Sequence, residues 1–89
     1  MRERDVQGKV VGYARSKGAM ARKLDFGEGW PDYMFLYNGR VMFIEFKATG
    51  GRLAALQEHI IGLLEKHKFD VATVRDVQHG YELVDRFVA

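Results

Sequence analysis

The spacing of hydrophobic positions changes several times along the chain, and each change marks a predicted element. Residues 3–17 place apolar side chains at the spacing of an amphipathic helix, and a second helical stripe runs through residues 53–67. A shorter helix is predicted over residues 79–88. Short apolar runs bounded by turn residues predict strands at 33–37, 41–47 and 70–74, with 21–26 as a further candidate strand.

The order of these elements defines the expected fold class. A helix, three strands, a helix, a strand and a last helix predict an α/β fold, with a mixed β-sheet flanked by helices. The strand, helix and strand at the end of this series imply a right-handed crossover between parallel neighbours. Because 89 residues suit one small core, we expect a single domain over residues 1–89.

Asn38-Gly39 is the strongest hairpin signal in the sequence. A two-residue type I′ turn needs positive φ at both central positions, which Asn and Gly tolerate. Counting outward from this turn brings Asp32 opposite Glu45. Since side chains alternate between the two faces of a strand, Lys47 projects from the same face as Glu45.

Opposed carboxylates make this hairpin unusual. Their Cβ atoms would lie about 5 Å apart and the charges would repel by about 3 kcal/mol at an effective dielectric of about 20. A hard divalent cation would neutralise both acids; the alternative is an exposed edge hairpin with solvated charges. The apolar residues of the hairpin favour a bound cation over an exposed edge, because they predict a sheet that is covered on both sides. Met34, Leu36, Val41 and Phe43 share the face of the acids, and Tyr33, Phe35, Met42, Ile44 and Phe46 line the other.

Positive charge is concentrated near the N-terminus. Residues 1–23 hold seven Lys or Arg and two acids, whereas the whole chain has a formal net charge of +2. Such a segment suits contact with nucleic-acid phosphates, but a solvated helix face would give the same pattern. The basic residues are Arg2, Arg4, Lys9, Arg15, Lys17, Arg22 and Lys23.

Several classes of protein are disfavoured by composition. The absence of cysteine excludes disulfides and thiolate metal sites. No apolar run approaches the length of a membrane span, and the first residues lack the apolar region of a signal peptide. We therefore expect a cytoplasmic protein.

The motif Pro31-Asp32, followed by Glu45-Phe46-Lys47, resembles that of the PD-(D/E)XK nuclease superfamily. Within it, the chain looks like a stand-alone VRR-NUC (virus-type replication-repair nuclease) domain, whose core is restriction-endonuclease-like. The resemblance extends over nearly the whole chain. It includes the acid Glu3 in the first helix, the glycine-bearing loop before the motif, the "GGRL" segment and Gln57 in the following helix.

This resemblance implies a role for each matched residue. Asp32 and Glu45 would ligate a metal ion, together with the backbone carbonyl of Phe46. Lys47 would orient the attacking water or stabilise charge on the phosphate. The implied catalytic set is Asp32, Glu45, Lys47, Glu3 and Gln57. Contacts to nucleic acid would come from the basic residues named above, Trp30 and Arg52.

The resemblance also implies the reaction and its partners. Mg²⁺ would be the cofactor, with Mn²⁺ as a substitute, and the substrate would be DNA. Minimal members of the family occur in phages and act as dimeric Holliday-junction resolvases, so we expect a homodimer on branched DNA, in the host cytoplasm if phage-encoded. The alternatives are a flap or nicking nuclease acting as a monomer, and a non-catalytic DNA-binding module.

Overall fold

The computed structural model describes residues 2–89. The elements in chain order are α1 (Glu3–Ser16), β1 (Met20–Lys23), β2 (Tyr33–Tyr37), β3 (Arg40–Phe46), α2 (Ala55–Lys66), β4 (Asp70–Val74) and α3 (Val77–Phe87). The predicted α/β class and the order of elements are confirmed. Over residues 2–89, no helix combines the length and apolar character that a bilayer crossing requires.

The predicted boundaries differ from the observed ones mainly at β1 and at the starts of α2 and α3; α2 begins at Ala55, two residues after its predicted start. The candidate strand 21–26 is misplaced: β1 covers Met20–Lys23, one further hydrogen bond joins the N–H of Leu24 to the carbonyl of Asp32 (2.8 Å), and the chain then enters a loop in which Gly27 and Gly29 have positive φ. Helix α3 begins two residues before the predicted start, because the carboxylate of Asp76 accepts a hydrogen bond from the N–H of His79 (2.8 Å) and caps it.

One four-stranded mixed sheet organises the fold, with strand order β1-β2-β3-β4. The first three strands are antiparallel, and β4 pairs in parallel with β3 after the crossover through α2. Tyr37 pairs with Arg40 and Tyr33 with Ile44, which confirms the register predicted from the Asn38-Gly39 turn. Both turn residues have positive φ, 49° for Asn38 and 80° for Gly39, as a type I′ turn requires.

The main hydrophobic core lies between the sheet and the pair α1 and α3. These two helices pack against each other, and α1 also contacts β1 and β3. Side chains from one face of the sheet fill the space between the layers. The largest fully buried side chains are Phe35, Phe46, Ile44, Val10, Val74 and Val84.

The opposite face of the sheet is covered only in part. Helix α2 packs mainly against β4 and leaves the β1–β2 side open, so the expectation of a sheet covered on both faces is wrong there. Leu36 and Val41 are half-buried on this face, and Met20, paired with Leu36, is 59% exposed. We call these three residues the open sheet face. Within α2 itself, Leu56 and Leu63 remain exposed.

Packing between α1 and α3 gives a direct test of the core. A Cβ added at Gly80 of α3 would overlap the Cγ2 of Val10. We expect Gly80→Ala to lower the free energy of unfolding by about 1–3 kcal/mol, because overpacking shifts both helices. Gly62 lies exposed in α2 with no atom within 4 Å of an added Cβ. Gly62→Ala should therefore raise the free energy of unfolding by about 0.5–1 kcal/mol. Urea unfolding followed by circular dichroism measures both, and equal effects of the two substitutions would contradict this packing.

Candidate active site

The base of the β2–β3 hairpin brings the two predicted acids together. Asp32 directly precedes β2, and continuing the hairpin register places it opposite Glu45 of β3. The backbone N–H of Phe46 points to the side where β2 has ended, and the Oδ2 of Asp32 accepts its hydrogen bond at 2.8 Å. The carboxylate of Asp32 therefore caps the end of the ladder, which fixes its position beside β3.

Glu45 is the most unusual side chain of this site. Of the polar and charged side chains in residues 2–89, it alone is buried, with 3% exposure. Its Oε2 accepts a hydrogen bond from the Nε2 of Gln57 (2.8 Å) and lies 3.7 Å from the Nζ of Lys47. Its Oε1 is buried and has no hydrogen-bond partner. Because a buried carboxylate oxygen is costly to leave unpaired, this atom is the natural place for a further ligand.

The electrostatics of Glu45 reflect this burial. Desolvation and, as a smaller cause, the negative charge of Asp32 raise the pKa of its carboxyl from 4.5 to about 7, although the positive charge of Lys47 lowers it. The side chain is thus balanced between its neutral and charged forms near neutral pH. A cation placed beside it would favour the charged form.

Gln57 holds Glu45 from the start of α2. Its Oε1 accepts the backbone N–H of Ala54 at 2.8 Å, and its Nε2 donates to Glu45. Because an N–H donor must face the amide oxygen, the first bond fixes which end of the amide faces Glu45. Ala54 has no side-chain acceptor, so Gln57 supplies one half of a capping box. The same amide caps the helix and orients the carboxylate.

Lys47 and the carbonyl of Phe46 complete the near surroundings. Lys47 follows the last residue of β3, and its backbone N–H donates to the carbonyl of Val74 at 3.0 Å, which fixes its position beside β4. In an extended strand the N–H and C=O of one residue point to the same side. The Phe46 carbonyl therefore lies on the side of Asp32, while its ring is buried in the core on the other face.

Glu3 lies in the first turn of α1, near Glu45 of the candidate site. Its charge contributes to the raised pKa of Glu45. It lines a cleft of about 530 Å³ that includes Ala48, directly after Lys47. The residues lining this cleft, which we call the basic cleft, are Arg2, Glu3, Arg4, Gln7, Lys23 and Ala48.

The predicted basic residues divide into three groups. Arg2, Arg4 and Lys23 lie in the basic cleft. Arg15 instead donates to the carbonyl of Ala21 (2.8 Å) and holds α1 against β1. Lys17 lies over the ring of Tyr13, at 5.1 Å from its centroid. The remaining predicted residues, Lys9, Arg22 and Arg52, are exposed.

Trp30 and Phe26 pack against each other in the loop before Asp32. Trp30 is half-buried, with its ring 6.5 Å from the ring of Phe43. Phe26 is 61% exposed and was not among the predicted site residues, because it appeared to end a candidate strand. The sequence signal that could have identified Phe26 was its place between two acids, in the glycine-bearing loop just before Pro31-Asp32.

The donor set fits a hard cation that needs few protein ligands. Across residues 2–89, no three His, Cys, Asp or Glu side chains form a metal-binding group. Two carboxylates and the Phe46 carbonyl are nevertheless enough for Mg²⁺, which is usually bound by one or two carboxylates and keeps several waters. The unpaired Oε1 of Glu45 supports this fit, because it supplies a free, buried carboxylate oxygen.

Comparison with known proteins identifies the fold. A solved structure described as a "VRR_NUC domain" superposes on this chain with a TM-score of 0.85 and 22% sequence identity, covering 96% of each chain. No protein-family model and no curated protein matches the sequence. The chain therefore has the mixed-sheet fold of a VRR_NUC domain, as its sequence resemblance implied.

The raised pKa of Glu45 predicts a specific dependence of stability on pH. The folded state retains the proton of Glu45 between about pH 4.5 and pH 7, whereas the unfolded chain loses it, so stability falls as the pH rises through this range. Glu45→Gln removes this contribution. In EDTA, we expect the variant to gain stability relative to the wild type by up to about 3 kcal/mol between about pH 5 and pH 8. Urea unfolding at about pH 5 and about pH 8 measures the difference in free energy of unfolding between the variant and the wild type. The same difference at both pH values would contradict a raised pKa of Glu45.

Proposed function

We propose that the protein is a metal-dependent endodeoxyribonuclease that hydrolyses phosphodiester bonds in DNA. The observation that carries this proposal is the buried carboxylate of Glu45, which lies close to Asp32 and Lys47 and whose Oε1 has no hydrogen-bond partner. The fold of a VRR_NUC domain supports the same reading. Phosphodiester hydrolysis needs an activated water and stabilisation of negative charge on the phosphate, and these three side chains suit both needs.

A metal ion is favoured because Lys47 offsets only part of the negative charge. With its Nζ at 3.7 Å from Glu45, the pKa of Glu45 is still raised to about 7. Asp32, Glu45 and the Phe46 carbonyl would hold Mg²⁺, with Mn²⁺ as a substitute. When bound, the cation would make a bound water more acidic and so easier to activate as the nucleophile, and it would neutralise charge on the phosphate.

The side chains of the site are positioned before substrate arrives. Gln57 orients Glu45, and the N–H of Phe46 orients Asp32. Lys47 is half-buried and can donate to the attacking water or to a phosphate oxygen as negative charge develops there. Such preorganised donors are effective because they need no rearrangement at the moment of reaction.

The basic cleft supports a nucleic-acid substrate. Arg2, Arg4 and Lys23 line it, and Ala48 connects it to the end of β3. Their positive charges would contact the phosphates of the strand on either side of the cleaved bond. DNA bound in this cleft would then pass the end of β3, where Lys47 lies.

We further propose a homodimer that cuts branched DNA in the manner of a Holliday-junction resolvase. A four-way junction needs two symmetric cuts, which a two-fold dimer with two sites supplies. The open sheet face supports this arrangement, because Met20 is 59% exposed beside Leu36 and Val41, and adjoining apolar side chains favour self-association. A monomeric flap or nicking nuclease is the alternative with the same chemistry.

Single-turnover cleavage of dye-labelled DNA with Mg²⁺ or Mn²⁺ tests the reaction. We expect Lys47→Ala to lower the cleavage rate by about 100-fold or more, since it removes a donor aimed at developing charge. Asp32→Asn should be inactive. Lys66→Ala is the matched control at the far end of α2, and it should cut as the wild type does. DNA binding without cleavage by the wild type would instead favour a non-catalytic binding module.

Sedimentation velocity and a four-way junction test the assembly. We expect the wild type to sediment as a dimer and to make paired nicks near the branch point. Met20→Glu should yield monomers, because a carboxylate on the open sheet face cannot be buried without a partner. A monomer at every concentration, with single nicks only, would support the monomeric alternative.

A further inference from the structure

The loop between β1 and β2 ends at the active site. We call residues 24–32 the aromatic loop. Its two ends are joined by the hydrogen bond from the N–H of Leu24 to the carbonyl of Asp32, at 2.8 Å. Two residues of chain span at most about 7 Å, so Phe26 cannot lie far from the end of the loop that carries Asp32.

The exposed ring of Phe26 packs against a second aromatic ring. It is 61% exposed, the largest exposure among the large hydrophobic side chains of residues 2–89. The ring of Trp30 meets it edge-on, at 5.2 Å between centroids and 83° between planes. Trp30 lies in turn 6.5 Å from the buried ring of Phe43. An apolar ring supported in this way is available for contact with a ligand.

The backbone of the loop is fixed against the helix that orients Glu45. Gly29 has φ of +87°, and a Cβ added there would lie 2.6 Å from the Cγ of Leu56. Leu56 directly precedes Gln57 in α2. The loop therefore packs against the same turn of helix that positions the catalytic carboxylate, which relates the position of Phe26 to that of the active site.

The charges of the loop indicate which part of DNA Phe26 would meet. Asp25 and Glu28 flank the ring, and the loop contains no Lys or Arg, so it would repel phosphates. A nucleobase, by contrast, offers a flat face on which an aromatic side chain can stack. In a continuous duplex those faces are covered by neighbouring bases. Only a base at a break in stacking exposes its face.

We propose that Phe26 stacks on an unstacked base next to the phosphodiester bond that the candidate active site would cleave, and so selects DNA with interrupted stacking. This inference rests on the proposed function and names the feature of the substrate that the site recognises. Phe26 is then a specificity residue, with Trp30 as its support.

Binding measured without metal tests the contact separately from cleavage. Fluorescence anisotropy in EDTA would compare a dye-labelled branched DNA with the same DNA made abasic at the nucleotides flanking the branch. We expect Phe26→Ala to weaken binding to the intact DNA by about 5- to 100-fold, the range of one base–aromatic stack. It should not change binding to the abasic DNA, and Phe26→Trp should retain the wild-type preference.

Phe69→Ala is the matched control, since Phe69 is also an exposed ring that meets another aromatic ring edge-on, that of Phe43, but it precedes β4 at the other end of the sheet. It should bind both DNAs as the wild type does. Equal weakening on intact and abasic DNA, or a change in sedimentation of Phe26→Ala, would overturn the inference, the latter by placing Phe26 in a contact between copies. A wild type that cuts DNA while Phe26→Ala binds normally would sink this inference alone. A wild type that shows the stacking but never cuts would sink only the proposed activity.

Discussion

The buried carboxylate of Glu45 is the constraint on which the rest of the site depends. A carboxylate is normally solvated or paired, yet this one has 3% exposure and one oxygen without a partner. Burial and the charge of Asp32 together raise its pKa to about 7. A folded protein keeps such a group only when the surrounding structure determines its position, and here β3, α2 and the hairpin partner all do so.

The position of Glu45 depends first on local sequence and then on tertiary packing. Asn38-Gly39 sets the hairpin register, and Asp32 lies opposite Glu45 because of it. The crossover through α2 then brings Gln57 to the oxygen that faces Lys47. The well-packed core on the opposite face of the sheet stabilises the fold and offsets the cost of burying this carboxylate beside Asp32. The separation of the two faces lets one carry the stability and the other the chemistry.

The sequence was informative where the determining physics is local. A type I′ turn depends on two residues, so the register and the opposed acids could be predicted from them alone. The order of elements followed from hydrophobic spacing. The start of α3 was predicted two residues too late, although the signal for it, the capping residue Asp76, is also local.

Features set by distant contacts could not be read in this way. The hydrogen bond from Gln57 to Glu45 requires the crossover geometry, although the bond of Gln57 to Ala54 is local. Arg15 resembles the other basic residues in sequence, yet it holds α1 to β1. The open sheet face depends on where α2 lies, and the support of Phe26 by Trp30 depends on the path of a loop. None of these follows from spacing along the chain.

Crystals of the protein soaked in Mn²⁺ give the most direct test of the central claim. The account predicts an anomalous density peak between Asp32 and Glu45, with the Oε1 of Glu45 about 2.0–2.6 Å from the metal, the range for hard cations and oxygen ligands. Absence of density at saturating Mn²⁺, with the Oε1 of Glu45 hydrogen-bonded to another protein group, would contradict it.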